Sequence, residues 1–249
     1  MDWKKIIGYG LLILIIREII INLGKYLLGK TLVLSTFATL ITILLVVVFF
    51  TCYLKTNKET KITTSLLIGL IWYVIIVIGS ALIQGLLLGA DHTIIAMLRK
   101  ASLYLVPIIT LALGYTHTLK LTTTDKINID WKRAIGYGII LAILFYIVYY
   151  IIGVLGITTS DKLFSVRLFA EIVIFTIIFG TLYITKNPET NTKETLILGA
   201  IWWIIMVLID IILILTGLAV ITVPAYLALY PIAYLGFPII LWGISKTIE

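Results

Sequence analysis

The nonapeptide DWKKIIGYG at positions 2–10 returns as DWKRAIGYG at positions 130–138, with seven of nine residues identical. Further along, YLKTN at 53–57 lines up with YITKN at 183–187, and Gly69 and Trp72 line up with Gly199 and Trp202. YLVPII at 104–109 lines up with YLGFPII at 234–240. The chain therefore reads as a duplicated unit. Residues 1–120 form a first half, residues 131–249 a second, and the polar stretch 121–130 a linker between them.

What fills each half is apolar. Of 249 residues, 61% are hydrophobic and 12% charged, and the mean hydropathy is +1.18. Soluble domains carry about a quarter charged residues, and a chain of this size has too little interior to hide such an excess. These values exclude a soluble enzyme, a nucleic-acid reader and a disordered chain. The lone Cys52 excludes an intramolecular disulfide, and His92 and His117 lack metal-ligand spacing.

Eight apolar runs are long enough to cross a hydrocarbon core, which takes about 20 helical residues. They are Ile6–Leu28, Leu32–Leu54, Ser65–Leu88, Ile94–Leu119, Trp131–Ile157, Phe164–Ile184, Thr195–Thr216 and Val220–Ile244. None alternates with period two, so helices rather than a β-barrel must satisfy the backbone in lipid. The fold class is an all-α polytopic integral membrane helix bundle: eight transmembrane helices as two parallel four-helix repeats. Four spans per half bring each half back to its starting side, which relates the halves by an axis along the membrane normal.

The net charge of +7 is then a topology signal. Twelve Lys and Arg residues fall in the segments on the side of both termini and six on the opposite side, so the excess of positive charge places both termini in the cytoplasm of a cell-membrane protein.

A few charges lie inside the runs, where an ionisable group costs at least about 2.5 to 3.5 kcal/mol. At 1.5 Å of rise per residue, Arg17 and Glu18 lie roughly 16 to 18 Å into the first helix, Asp210 about 22 Å into the seventh and Glu171 roughly 20 Å from the same face. Asn22 is one turn beyond Glu18. Tyr226, in a Tyr226–Tyr230–Tyr234 stripe, falls near the level of Asp210. Across the repeat, Arg17 matches Phe145, Glu18 matches Tyr146 and Asp210 matches Ser80, an asymmetry that argues against two equivalent sites.

Two readings stay open. In one, Glu18, Asp210 and Glu171 carry protons or coordinate a cation between the halves, with Arg17 as counter-ion, Tyr226 as support and Asn22 nearby. The protein would then move a small solute or ion. In the other, the charges only fix helix register in a non-catalytic scaffold or partner-binding subunit: Arg17 neutralises Asp210 or Glu171, and Arg167 pairs locally with Glu171 at i, i+4. Arg17 and Glu18, about 100° apart on the helix, are not expected to pair with each other.

Pro224, Pro231 and Pro238 recur every seven residues in the eighth run, and Pro107 in the fourth matches Pro238; each removes a helix hydrogen bond. Small residues at every fourth position, Ala134, Gly138 and Ala142, mark a close-packing face, for the bundle or for a homo-oligomer. The GYG tripeptides lack the re-entrant loop a potassium filter needs, and no hydrolase, phosphate-binding or metalloprotease motif is present. The expected partners are the lipid bilayer and a small solute, proton or cation, with no cofactor, no nucleic acid and no enzymatic activity.

Overall fold

The computed structural model describes residues 2–28, 32–57, 60–88, 108–111, 114–115, 129–154, 161–187, 190–218 and 223–248. All regular structure among them is helical. Helix α1 spans Trp3–Leu28 and α2 Leu32–Thr56; α3 (Ile62–Tyr73) runs through a π turn at Val74–Ile78 into α4 (Gly79–Leu88). Beyond the linker come α5 (Trp131–Val154), α6 (Asp161–Lys186), α7 (Thr192–Leu215), α8 (Val223–Tyr234) and α9 (Gly236–Ile248).

Six of these spans are long and apolar enough to cross a membrane, as expected of a helical membrane protein. The fourth run falls largely outside the described residues, as do Pro107 and most of the linker. The eighth is not one helix but two. Pro238 has no N–H to offer Tyr234, so the chain turns at Leu235, where long backbone bonds Leu235 N→Ile232 O (3.3 Å) and Ile239 N→Leu235 O (3.4 Å) bridge the break.

Which face each helix hides follows from its neighbours. The windows of α2 and α6 are 61% buried, against 22–33% for the other four spans, so these two helices form the centre. There α2 packs on α6, α8 and α9, and α9 also packs on α6 and α7. Around this core α1 lies against α2 and α3, and α5 against α6 and α7. On α1 the residues Ile7, Leu11, Ile15, Ile19 and Leu23 form an exposed apolar stripe at i, i+4; on α5 so do Ile135, Ile139, Ile143, Ile147 and Ile151. An apolar ridge this long is stable only against lipid or another apolar surface.

The opposite faces are held by a contact that occurs twice. Trp72 Nε1 donates to Ile6 O at 2.7 Å, and Trp202 Nε1 to Ala134 O at 2.9 Å. Each indole lies against the last glycine of a GYG: a Cβ on Gly10 would stand 3.1 Å from Trp72 Cδ1, and one on Gly138 2.9 Å from Trp202 Cδ1. A Cβ on the first glycine of each triplet, Gly8 or Gly136, would meet nothing within 4 Å beyond its own helix. The repeated motif is thus a helix-packing surface. Ala134 and Ala142, fully buried, serve the same internal face. Gly199 does so for the α7–α9 contact, where the backbone of Pro238 occupies the space a side chain would need.

Candidate functional site

The intramembrane charges fall into two groups. In the first, Arg17 and Glu18 form an ion pair, contrary to the expectation from their 100° separation. The reason is reach: a guanidinium at the end of a long flexible stem can fold back along the helix surface to a neighbouring carboxylate. Arg17 Nε also donates to Thr42 Oγ1 on α2 at 3.2 Å, and Nη1 to Ser80 Oγ on α4 at 2.6 Å. Ser80 Oγ in turn donates to Glu18 Oε1 at 2.5 Å. The group ties α1, α2 and α4 together just beyond the π turn, with Glu18, Thr42 and Ser80 buried. Asn22 does not join it; its side-chain amide donates to the Glu18 carbonyl at 2.9 Å, one turn back along α1.

The second group lies in the second half. Asp210 on α7 is buried, 6% exposed. Tyr146 on α5 donates to its Oδ1 and Tyr234 on α8 to its Oδ2, at 2.8 Å. Tyr226, 1% exposed, lies within electrostatic reach of the same carboxylate. Tyr226 stacks on Tyr230 at 5.2 Å between centroids, and Tyr230 leads to Tyr234 at 6.2 Å. On α6, Arg167 Nε donates to Glu171 Oε1 at 2.8 Å, the i, i+4 pair that spacing predicts, and its guanidinium lies 5.5 Å from the Tyr149 ring centroid. Tyr230 is within electrostatic reach of Asp210, Arg167 and Glu171 alike. Four helices, α5 to α8, thus contribute to one polar patch.

Among the described residues no hydrogen bond or ion pair joins Arg17 to Asp210 or Glu171. The structure therefore brings Arg17 together with Glu18, and Asp210 together with Tyr226, but does not assemble the six residues around a single point.

The asymmetry read from the repeat has a geometric counterpart. Position 18 bonds to position 80 in the first half, and the matching positions 146 and 210 bond in the second. The acid and the hydroxyl have changed places: acid on α1 with hydroxyl on α4, then hydroxyl on α5 with acid on α7. The roles of Tyr146 and Tyr234 were missed in the sequence, although the alignment of Glu18 with Tyr146 and Ser80 with Asp210 held the signal for the first.

Glu194 was also missed, because the seventh apolar run starts one residue after it. It is 1% exposed, at the start of α7, and accepts from Tyr183 Oη at 2.9 Å; Tyr183 Oη itself accepts from the Asp130 amide at 3.1 Å. Asn191 caps the helix through the Glu194 amide at 2.9 Å. An N-cap Asn followed three residues later by Glu is the sequence signature that would have found it.

Compared with known proteins, the chain matches no family model, no curated protein and no solved structure.

Proposed function

We propose that the protein is a multi-pass cell-membrane carrier for a small solute or ion, built of two parallel four-helix halves with cytoplasmic termini, and that Asp210 is the group that binds the coupling proton or cation. One observation carries this reading. Of the three acids inside the sequence-read apolar runs, Glu18 is neutralised by Arg17 and Glu171 by Arg167, whereas Asp210 has only tyrosine hydroxyls and no basic partner among the described residues; the further buried acid, Glu194, stands in the first turn of α7, held by Tyr183 and the Asn191 cap. An uncompensated carboxylate away from water is costly, and a proton or mobile cation removes that cost by binding. A buried acid without a resident counter-ion is thus the natural place for a charge that comes and goes.

Glu18 and Glu171, read from sequence as carriers beside Asp210, take a different role here. Each is held by an arginine, and these pairs fix the packing of α1, α2 and α4 and the local surface of α6. This same pairing favours the second reading, a non-catalytic scaffold or partner-binding subunit in which every buried charge is structural.

Proteoliposomes separate the two. An imposed pH gradient, followed with an entrapped pH indicator, and an imposed Na⁺ gradient, followed with ²²Na⁺, test the proton and a metal cation in turn. The carrier reading predicts that one gradient dissipates faster than in protein-free vesicles. Rates equal to those of protein-free vesicles for both would leave the scaffold.

A further inference from the structure

Independently of what Asp210 carries, we infer that a groove between the two halves holds one acyl chain of an anionic phospholipid, with the phosphate of its headgroup held by lysines at the rim. The groove lies where α2 meets α7 and α9. It has a volume of about 240 Å³, and its lining is apolar: Leu44 and Val48 of α2, Leu196 of α7, and Pro238, Ile239 and Trp242 of α9. Leu44 is 37% and Leu196 40% exposed, so the groove opens outward from the bundle and not into it.

Each of the three helices brings a lysine to one end of this groove. Lys193 stands three residues before Leu196 on α7, Lys246 four after Trp242 on α9, and Lys55 seven after Val48 on α2. These spacings keep each lysine on the face of its helix that lines the groove. The start of α7 and the end of α9 lie side by side, since Ser245 Oγ donates to Thr192 Oγ1 at 3.3 Å. YLKTN at 53–57 matches YITKN at 183–187, so α2 ends on the face where α6 ends and α7 begins. Lys55 and Lys193 are exposed and Lys246 is half-buried. Positive charge above an apolar slot is complementary to one molecule with an anionic head and a hydrocarbon tail.

Depth and width select a lipid chain over a helix. At 1.5 Å of rise per residue, Leu44 lies about 16 Å below Lys55 and Pro238 about 12 Å below Lys246, the depth of one leaflet of a hydrocarbon core about 30 Å thick. A helix about 10 Å across fills roughly 1,200 Å³ over that depth, several times the space in the groove. A phospholipid with its phosphate at the lysines runs its chain down the slot and stops where the leaflet stops.

The lone cysteine supplies a reporter for the test. Cys52 is exposed and lies between Val48 and Lys55 on the same face of α2. Bimane on Cys52 of the full chain is placed in vesicles of phosphatidylcholine brominated on its acyl chains, which quench it. Unbrominated phosphatidylglycerol should relieve the quenching with a displacement constant about tenfold or more above that of unbrominated phosphatidylcholine. Lys55→Gln and Lys193→Gln should each lower this ratio about fivefold, the factor equivalent to ~1 kcal/mol per basic residue at an anionic surface, and the double variant should bring it near one. Val48→Phe fills the slot and keeps the lysines, and should abolish the preference; Leu44→Phe, at an exposed position of the lining, should do the same. Equal relief by the two lipids overturns the inference. So does a phosphatidylglycerol preference unchanged in both Phe variants, which leaves lysines that gather headgroups over a groove that holds no chain. A label that no brominated lipid quenches overturns it as well, because protein, a second copy of the chain included, then covers the groove.

Discussion

Replacing Arg17 by Met tests whether the first polar group is a lock. The side chains of Arg17 and Glu18 are 12% and 6% exposed, so each charge depends on the other for compensation. Removing one partner of such a pair costs ~3–5 kcal/mol, because the remaining charge stays buried. Arg17→Met should therefore destabilise by about that amount, and Glu18→Gln, which strands the guanidinium, by a similar ~3–5 kcal/mol. The double variant strands nothing. It loses the Arg17 bonds to Thr42 and Ser80, at ~1 kcal/mol each, and should cost only ~2 kcal/mol. The cycle thus predicts a coupling energy of several kcal/mol, well above the ~0.3–0.5 kcal/mol within which independent sites add. Equilibrium unfolding in mixed micelles, or steric trapping in bicelles, supplies the four stabilities. If the double variant is destabilised by the sum of the singles, the two side chains do not compensate each other and the lock does not exist.

Within one GYG the two glycines should behave oppositely. Gly138→Ala forces a methyl to 2.6 Å from Ile205 Cδ1 and 2.9 Å from Trp202 Cδ1, an overpacking cost of ~1–3 kcal/mol, whereas Gly136→Ala meets open space and should be neutral or stabilising by up to ~1 kcal/mol through helix propensity; unfolding midpoints compare them. Gly199→Ala should lower the midpoint further than Gly138→Ala, since the atoms in its way are backbone of Pro238 rather than side-chain ends. Trp72→Phe and Trp202→Phe each lose one buried indole-to-carbonyl bond, so their destabilisations should agree within ~1 kcal/mol; a large disparity in unfolding would show that the two contacts are not equivalent.

Helix positions were legible because the constraint that fixes them, backbone satisfaction over about 30 Å of hydrocarbon, leaves its mark on composition alone. The expected run Phe164–Ile184 lies within α6, and Thr195–Thr216 differs from α7 by three residues at one end and one at the other. The break at Leu235 was half legible: Pro238 marked a lost hydrogen bond, but whether a helix kinks or divides depends on what packs against it, here Gly199 of α7. The level of the charges could be read from rise per residue. Their partners could not, because level fixes height and leaves direction open. Arg17 illustrates this, since backbone angle excluded Glu18 while the length of the arginine stem made the contact. Glu194 shows the opposite failure, a buried acid hidden by a run boundary drawn one residue later, at Thr195.

On this reading Asp210, and not the arginine-held Glu18 or Glu171, takes part in the moving charge. Initial rates of proton flux in proteoliposomes of matched protein density, with wild type, Asp210→Asn and the Arg17→Met/Glu18→Gln double variant side by side, test it directly. Asp210→Asn should fall to the rate of protein-free vesicles while the double variant keeps most of the wild-type rate. Wild-type flux through Asp210→Asn would contradict it.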